Sequence, residues 1–179
     1  MSLKNFFRNA AGSKHASALE AGTLAPEISL ASASGQRMSL LETLKRGPVL
    51  AAFFKVSCPT CQFAFPFLER IHETYGDAKL SIWGISQDNA RDTREFLKEY
   101  GVKFPALIDA DGFAASNQYG LTNVPSIFWI LPDGRIRITS VGFVRTDLES
   151  ITVEAARASG KPRTPLFKPS EVVPDYKPG

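Results

Sequence analysis

The stretch VLAAFFKVSCPTCQFAFPFLERI, from Val49 to Ile71, decides the fold. Its first six residues are apolar and follow Gly47-Pro48, which is typical of a short buried strand. From Cys58 onward the apolar residues return every three or four positions, which is typical of an amphipathic helix. The segment therefore predicts a strand, a tight turn and a helix, with cysteines spaced C-x-x-C where the helix begins.

The patterns around this unit predict an α/β domain with a mainly parallel sheet. Upstream, a turn at Ser34-Gly35 precedes a short helix that Ser39 caps and that runs to Lys45. Downstream, the strands KLSIWGIS and FPALID enclose the helix ARDTREFLKEYG, which completes a β-α-β-α-β order. Pro132-Asp133-Gly134 joins the last predicted strands, PSIFWIL and RIRITSV, into an antiparallel hairpin. The segment TDLESITVEAARASG is predicted to be the closing helix.

The chain is predicted to form a single folded domain with a segment at each end. Its 179 residues fit one domain of ordinary size. We expect an N-terminal extension over residues 1–20, the domain over residues 21–159, and a proline-rich tail over residues 160–179. The last segment contains five prolines and is expected to be extended and polyproline-like.

Composition excludes several classes of protein. The net charge of +3 comes from 21 basic and 18 acidic residues scattered along the chain, so nucleic acid is not an expected partner. No stretch approaches the ~20 apolar residues of a membrane span. Charged residues also interrupt every apolar run of the first 22 residues, whereas a signal peptide contains an uninterrupted apolar core. The expected location is cytoplasmic, or periplasmic if the start is misassigned.

The two cysteines have three possible uses: a structural bridge, a metal site, or redox chemistry. In the cytoplasm a C-x-x-C pair is more often catalytic or metal-binding than structural. Zinc needs about four ligands, yet His72 follows Cys61 by eleven residues, roughly 16 Å along a helix, and His15 lies in the extension. We therefore predict no metal. Cys58 lies where free backbone N–H groups favour a thiolate, and Cys61 lies one turn deeper.

At this point the chain resembles a known family. The CPTC motif after a buried strand, Pro66 eight residues beyond Cys58, and the later segment VPSIFWILPDG resemble the thioredoxin fold. The segments AGTLAPEISLASASGQRMSLLETL and DTREFLKEYGVKFPALID are similar to its TlpA/ResA-like and AhpC/TSA-like redoxin branch. The resemblance covers about residues 21–159 and implies a central mixed sheet with helices on both faces.

The resemblance also implies a role for each site residue. Cys58 would be the nucleophile and Cys61 the resolving thiol. Pro125 would be a cis-proline facing them, and the backbone of Val124 would bind the substrate chain as an added strand. Asp88, just after the second strand of the sheet, matches the position of an acid that serves the cysteines in some relatives, and is a candidate for proton transfer.

The chain departs from the family patterns at three places. Ser57 stands where most thioredoxin-like reductases have Trp, which removes one wall of the docking surface. Ala52 stands where thioredoxin has a buried Asp, so that Gln87, Asp88 or water would have to move the proton of the resolving thiol. Ala51 and Lys55 stand where peroxiredoxins have Pro and Thr, which removes the usual hydrogen-bond donor to peroxide. Lys55 is also a candidate for tuning Cys58.

These residues predict a thiol-disulfide oxidoreductase that needs no cofactor. Its partners would be a protein or small-molecule disulfide or thiol, together with an unidentified electron donor. Thr60 offers Cys58 only a neutral hydroxyl, which favours a reductant or exchanger over a strong oxidant. One alternative is a peroxiredoxin-like thiol peroxidase that uses the same cysteines. The alternative outside enzymes is a redox-sensing module whose CPTC disulfide switches a partner surface formed by the tail.

Overall fold

The computed structural model describes residues 17–179, so most of the N-terminal extension predicted for residues 1–20 lies outside the described residues. The strands and helices along the chain are β1 (Ser29–Ala31), β2 (Arg37–Ser39), α1 (Leu40–Leu44), β3 (Val49–Phe54), α2 (Pro59–Tyr75), β4 (Ser81–Ser86), α3 (Ala90–Glu99), β5 (Ala106–Ile108), α4 (Ala114–Gln118), β6 (Ser126–Ile130), β7 (Ile136–Val141), β8 (Phe143–Val144), α5 (Arg145–Ser159) and β9 (Tyr176–Lys177). The short elements α4, β8 and β9 were not predicted.

The central sheet has five strands in the order β5-β4-β3-β6-β7. β3, β4 and β5 are parallel, as the β-α-β-α-β reading predicts. β6 pairs antiparallel with both β3 and β7, so the sheet is mixed. Helices α2, α3 and α5 bury apolar side chains on one face, and α1 and α4 on the other. The predicted mixed sheet with helices on both faces is confirmed.

Strand β3 is at the centre of this sheet and is buried on both faces. Leu50, Ala52 and Phe54 belong to the core beneath α2, whereas Val49, Ala51 and Phe53 belong to the core on the opposite face. A strand covered on both faces reads as a continuous apolar run, because every side chain enters a core. The chain leaves β3 at the carboxyl edge of the parallel strands, which is where ligand sites of α/β sheets form.

Helix α2 differs in one respect from its predicted amphipathic pattern. The sequence places Glu69 on the polar face with Gln62, Arg70 and Glu73, but Glu69 is only 5% exposed. Its Oε2 accepts a hydrogen bond of 2.8 Å from the backbone N–H of Lys103. The Glu69 carboxylate is therefore buried against the loop that contains Lys103. The helical pattern of α2 cannot predict this burial, because the pattern does not show where that loop lies.

Residues 160–179 pack against the domain rather than leaving it as a free tail. Leu166 and Phe167 are buried in the same core as α2 and α5. Arg70 of α2 donates to both carboxylate oxygens of Glu171, at 2.8 and 2.5 Å. This contact and the Lys168 amide lower the pKa of Glu171 to about 2, so the pair stays charged until the pH falls far below neutral. Composition predicts an extended chain. Two apolar residues between the prolines, Leu166 and Phe167, hold this chain against the domain.

Strand β9 returns this segment to the sheet region, where it pairs antiparallel with β8. Within residues 17–179, no helix is long and apolar enough to cross a membrane.

Candidate active site

Cys58 caps the N-terminus of α2. Its backbone is extended, with φ −84° and ψ 115°, and Pro59 follows in the first turn, where proline lacks only an N–H that would have no helical partner. The Cys61 amide donates to the Cys58 sulfur over 3.2 Å, and the Cys58 thiol donates to the Val124 carbonyl over 3.3 Å. An N–H group and the positive end of the helix dipole thus face a half-buried sulfur.

Cys61 has a different environment, although it lies only one turn further along α2. Its side chain is fully buried, and both cysteines are free thiols. Burial is the main reason that the pKa of Cys61 is raised far above that of an ordinary thiol; its hydrogen bond with Cys58 and the charge of Asp88 act in the same direction, and a hydrogen bond with the Lys55 backbone opposes them. The two thiols are thus chemically unequal: one is accessible, and the other is buried and protonated.

The loop between β3 and α2 is fixed by two side chains that reach Val56. Asp88 Oδ2 accepts from the Val56 N–H over 2.8 Å, and Gln62 Nε2 donates to the Val56 carbonyl over 2.9 Å. The Cys58 N–H in turn donates to the Lys55 carbonyl over 3.2 Å. Proton transfer by Asp88 stays a prediction, and the contact that the structure gives this carboxylate is with the Val56 backbone. Gln62 was not predicted, because a polar residue in the first turn of a helix is usually solvated.

Val124 and Pro125 lie beside the cysteines, as the resemblance implies. The Val124-Pro125 peptide bond is cis, and the Val124 carbonyl is the group that accepts from the Cys58 thiol. Val124 also lines a cleft together with Lys55, Gln87 and the loop of residues 121–123. The structure therefore brings together all five predicted site residues, Cys58, Cys61, Asp88, Val124 and Pro125, and their roles stay predictions.

The residues that depart from the family patterns lie in β3 and in the loop that follows it. Ala52 is buried in the middle of β3 and pairs with Gly84 and Ile127, so no acid lies at that position below Cys61. The side chains of Ser57 and Lys55 are exposed. Gln87 donates its amide to the Ser116 hydroxyl over 3.0 Å. Asp88 is therefore the nearby acid whose charge reaches Cys61.

Within residues 17–179, no group of three or more His, Cys, Asp and Glu side chains could hold a metal ion. His72 lies on α2 against Phe104, with ring centroids 5.9 Å apart. His15 lies outside the described residues.

Comparison with known proteins finds relatives in the redoxin group that the sequence resembles. Residues 21–139 match the AhpC/TSA family. The thioredoxin-like protein YneN of Bacillus subtilis is 30% identical over 134 residues, which are 73% of this chain and 76% of YneN. The thiol-disulfide oxidoreductase ResA of the same organism is 26% identical over 116 residues, 64% of each chain. A thiol:disulfide interchange protein from Bacteroides sp. superposes with a TM-score of 0.65 at 25% identity and covers 76% of this chain and 89% of its own. The predicted resemblance is confirmed.

The unequal thiols predict ordered chemical modification. During brief alkylation with iodoacetamide at neutral pH, we expect Cys58 to react at least about tenfold faster than Cys61, because the thiolate is the nucleophile and Cys61 is buried and protonated. Labelling of Cys61 should continue to rise above the usual thiol pKa of about 8.5, since a raised pKa delays its ionisation. Peptide mass spectrometry over time measures both rates, with Cys58→Ser and Cys61→Ser as matched controls. Faster labelling of Cys61 would contradict the assignment.

Proposed function

Because the chain belongs to the AhpC/TSA family, we propose that it is a thiol-disulfide oxidoreductase that reduces or exchanges protein disulfides. The observation that carries this proposal is the inequality of the thiols: an accessible Cys58 with the Cys61 N–H on its sulfur, and a buried Cys61 one turn below. The names of the relatives YneN and ResA agree with it.

In the first step the Cys58 thiolate attacks one sulfur of the substrate disulfide. A bond forms between Cys58 Sγ and that sulfur, the substrate S–S bond breaks, and the other substrate sulfur leaves as a thiolate. Free N–H groups at the start of α2 stabilise the attacking anion before the step. The product is a mixed disulfide between Cys58 and the substrate.

In the second step Cys61 gives up its proton and attacks Cys58 Sγ. The mixed disulfide breaks, the second substrate sulfur leaves as a thiolate, and a Cys58-Cys61 disulfide forms. Two electrons have then passed from the protein dithiol to the substrate disulfide, and a dithiol electron donor must return them. Because the pKa of Cys61 is raised, this step needs a proton acceptor, and Asp88 is the acid that we propose for it.

The same proposal assigns the substrate-docking edge to Val124 and Pro125. The Val124 carbonyl lies 3.3 Å from Cys58 Sγ, within reach of the backbone of an extended chain bound beside the sulfur. Backbone pairing of this kind binds a peptide independently of its side chains. Protein disulfides are therefore the proposed substrate class.

We propose the cytoplasm as the compartment of this protein. A reductant or exchanger fits a compartment where thiols are kept reduced. Fractionation of cells with an antibody to the protein is the direct test, and recovery outside the cytoplasm would overturn this part of the proposal.

A trapping experiment tests the order of the two cysteines. In Cys61→Ser, Cys58 can still attack a disulfide-bonded peptide but cannot be released, so a covalent adduct should accumulate, visible on non-reducing gels and by intact mass. Cys58→Ser should form no adduct, and its turnover should fall by about a thousandfold or more, because the nucleophile itself is missing. An adduct on Cys61 in the Cys58→Ser protein would reverse the roles.

Substitution of Asp88 tests the proton acceptor. Asp88→Asn keeps an oxygen for the Val56 N–H and removes the charge, so mixed-disulfide formation should be unchanged, whereas release of the second product should slow by about a hundredfold. Rapid-quench measurement separates the steps, and Asp111→Asn, an exposed carboxylate, is the control. The charge of Asp88 raises the pKa of Cys61, so its removal by itself lowers that pKa and favours attack by Cys61. Faster release of the second product in Asp88→Asn would therefore mean that Asp88 acts only through its charge and is not the proton acceptor.

Oxidation by hydrogen peroxide separates the proposed function from a thiol peroxidase with an antioxidant role. Ala51 is buried within β3, the Lys55 side chain is exposed, and the Thr60 hydroxyl donates to the Pro178 carbonyl over 2.6 Å. The donor that orients peroxide in peroxiredoxins is thus replaced, so we expect stopped-flow oxidation to remain non-saturating and close to the rate of a free thiolate. Fast, saturating oxidation would favour the peroxidase.

A further inference from the structure

The end of the described chain crosses the mouth of the candidate site. We call residues 175–179 the C-terminal strap. It begins where the Arg145 N–H donates to the Asp175 carbonyl over 2.9 Å. Tyr176 and Lys177 then pair with Val144 and Phe143, next to the start of α5. The strap thus runs from the start of α5 toward the cis-proline loop.

The last residues of the strap contact the site from both sides. The Thr60 hydroxyl, between the two cysteines in the chain, donates to the Pro178 carbonyl over 2.6 Å. Asn123 Nδ2 donates to the Gly179 carbonyl over 3.4 Å. A methyl group added at Gly179 would lie 2.4 Å from the Val124 carbonyl oxygen, which is far below a normal contact. The strap therefore lies against the same carbonyl that faces Cys58.

We propose that the strap is a specificity-determining element that occupies the substrate-docking edge at Val124 and that an extended peptide substrate must displace. The inference rests on the proposed function, because the edge matters only if substrates dock there. Cys58 itself remains partly exposed beside the strap. A small disulfide therefore reaches the sulfur without moving the strap, whereas a peptide chain that pairs along Val124 competes with residues 178 and 179 for the same space.

The strap is held weakly enough to be displaced. Tyr176 is 58% exposed, and Pro178 and Gly179 are exposed as well. Its pairing with β8 is only two residues long, and Lys177 Nζ lies 5.2 Å from the centre of the Phe63 ring. Segments with few buried contacts and short ladders open at low free-energy cost.

The chain just before the strap is held more firmly, so that displacement can remain local. Glu171 is paired with Arg70, and Val173 packs against the main core. Opening of residues 175–179 therefore leaves the closing helix and the buried residues 166 and 167 in place. The apparent affinity for a peptide substrate is reduced by the fraction of molecules in which the strap is closed.

Gly179→Ala is the sharpest test, since one methyl group collides with the Val124 carbonyl while no residue of the catalytic pair changes. We expect its kcat/KM for a disulfide-bonded protein such as insulin to rise about threefold or more, as the open fraction grows. Exchange with oxidised glutathione should stay within about twofold of the parent protein. Lys177→Met, which removes the cation over Phe63, should change the ratio of the two rates in the same direction. Val172→Ala is the matched control, because Val172 is fully exposed in the same segment.

Amide hydrogen exchange supplies a readout independent of turnover. The Arg145 amide, which donates to Asp175, should exchange faster in Gly179→Ala and Lys177→Met than in Val172→Ala. If the parent protein reduces both substrates and the substitutions at 177 and 179 leave the ratio unchanged, the strap inference is overturned while the proposed function stands. If the parent reduces neither substrate, the proposed function fails and the inference fails with it.

Discussion

The hydrogen bond from the Cys61 amide to the Cys58 sulfur is the interaction on which the site depends. This hydrogen bond forms because α2 begins at Pro59. The Cys61 amide lies in the first turn of the helix, so it has no carbonyl partner within the helix and is free to donate to the sulfur. The loop before this start follows directly on β3, whose side chains are buried on both faces of the sheet. Gln62 and Asp88 then hold the intervening loop through Val56. The position of one sulfur is thus determined by the sheet, the loop and the helix together.

Burial converts two identical side chains into groups with different tasks. The helix geometry separates Cys58 and Cys61 by one turn, and the core beneath α2 buries Cys61 completely but covers Cys58 only in part. Removing a thiol from water disfavours its anion, and here a partner thiol and a nearby carboxylate act in the same direction. The proposed order of attack and resolution therefore follows from where the surface of the domain lies across one helical turn.

The surface around Cys58 is assembled from distant parts of the chain. Val124 comes from the loop before β6, Thr60 from the first turn of α2, and the strap from the last described residues. Each contact is made through backbone carbonyl groups, which are present in every residue. Contacts of this kind depend on the path of a chain rather than on the identity of its side chains, and the proposals for the substrate peptide and for the strap both rest on this property.

The sequence by itself determined the elements whose patterns are local. The apolar run of β3, the cysteine spacing, the cap at Ser39 and the hairpin turn at Pro132-Asp133-Gly134 each depend on neighbouring residues, and all appear in the structure. With the family resemblance, the sequence also indicated Cys58, Cys61, Asp88, Val124 and Pro125. The elements it missed, α4, β8 and β9, are two to five residues long and carry too few residues to show a period.

Only the tertiary structure decided how groups distant in sequence meet. The burial of Glu69 against Lys103, the support of Val56 by Gln62 and Asp88, and the return of residues 175–179 to Val124 join positions that no local pattern relates. Composition predicts an extended chain for the last segment, and in the structure this segment contains bends, a turn and the short strand β9. Its path is set by Leu166, Phe167 and Glu171, whose partners on the domain surface exist only once the sheet and its helices have packed.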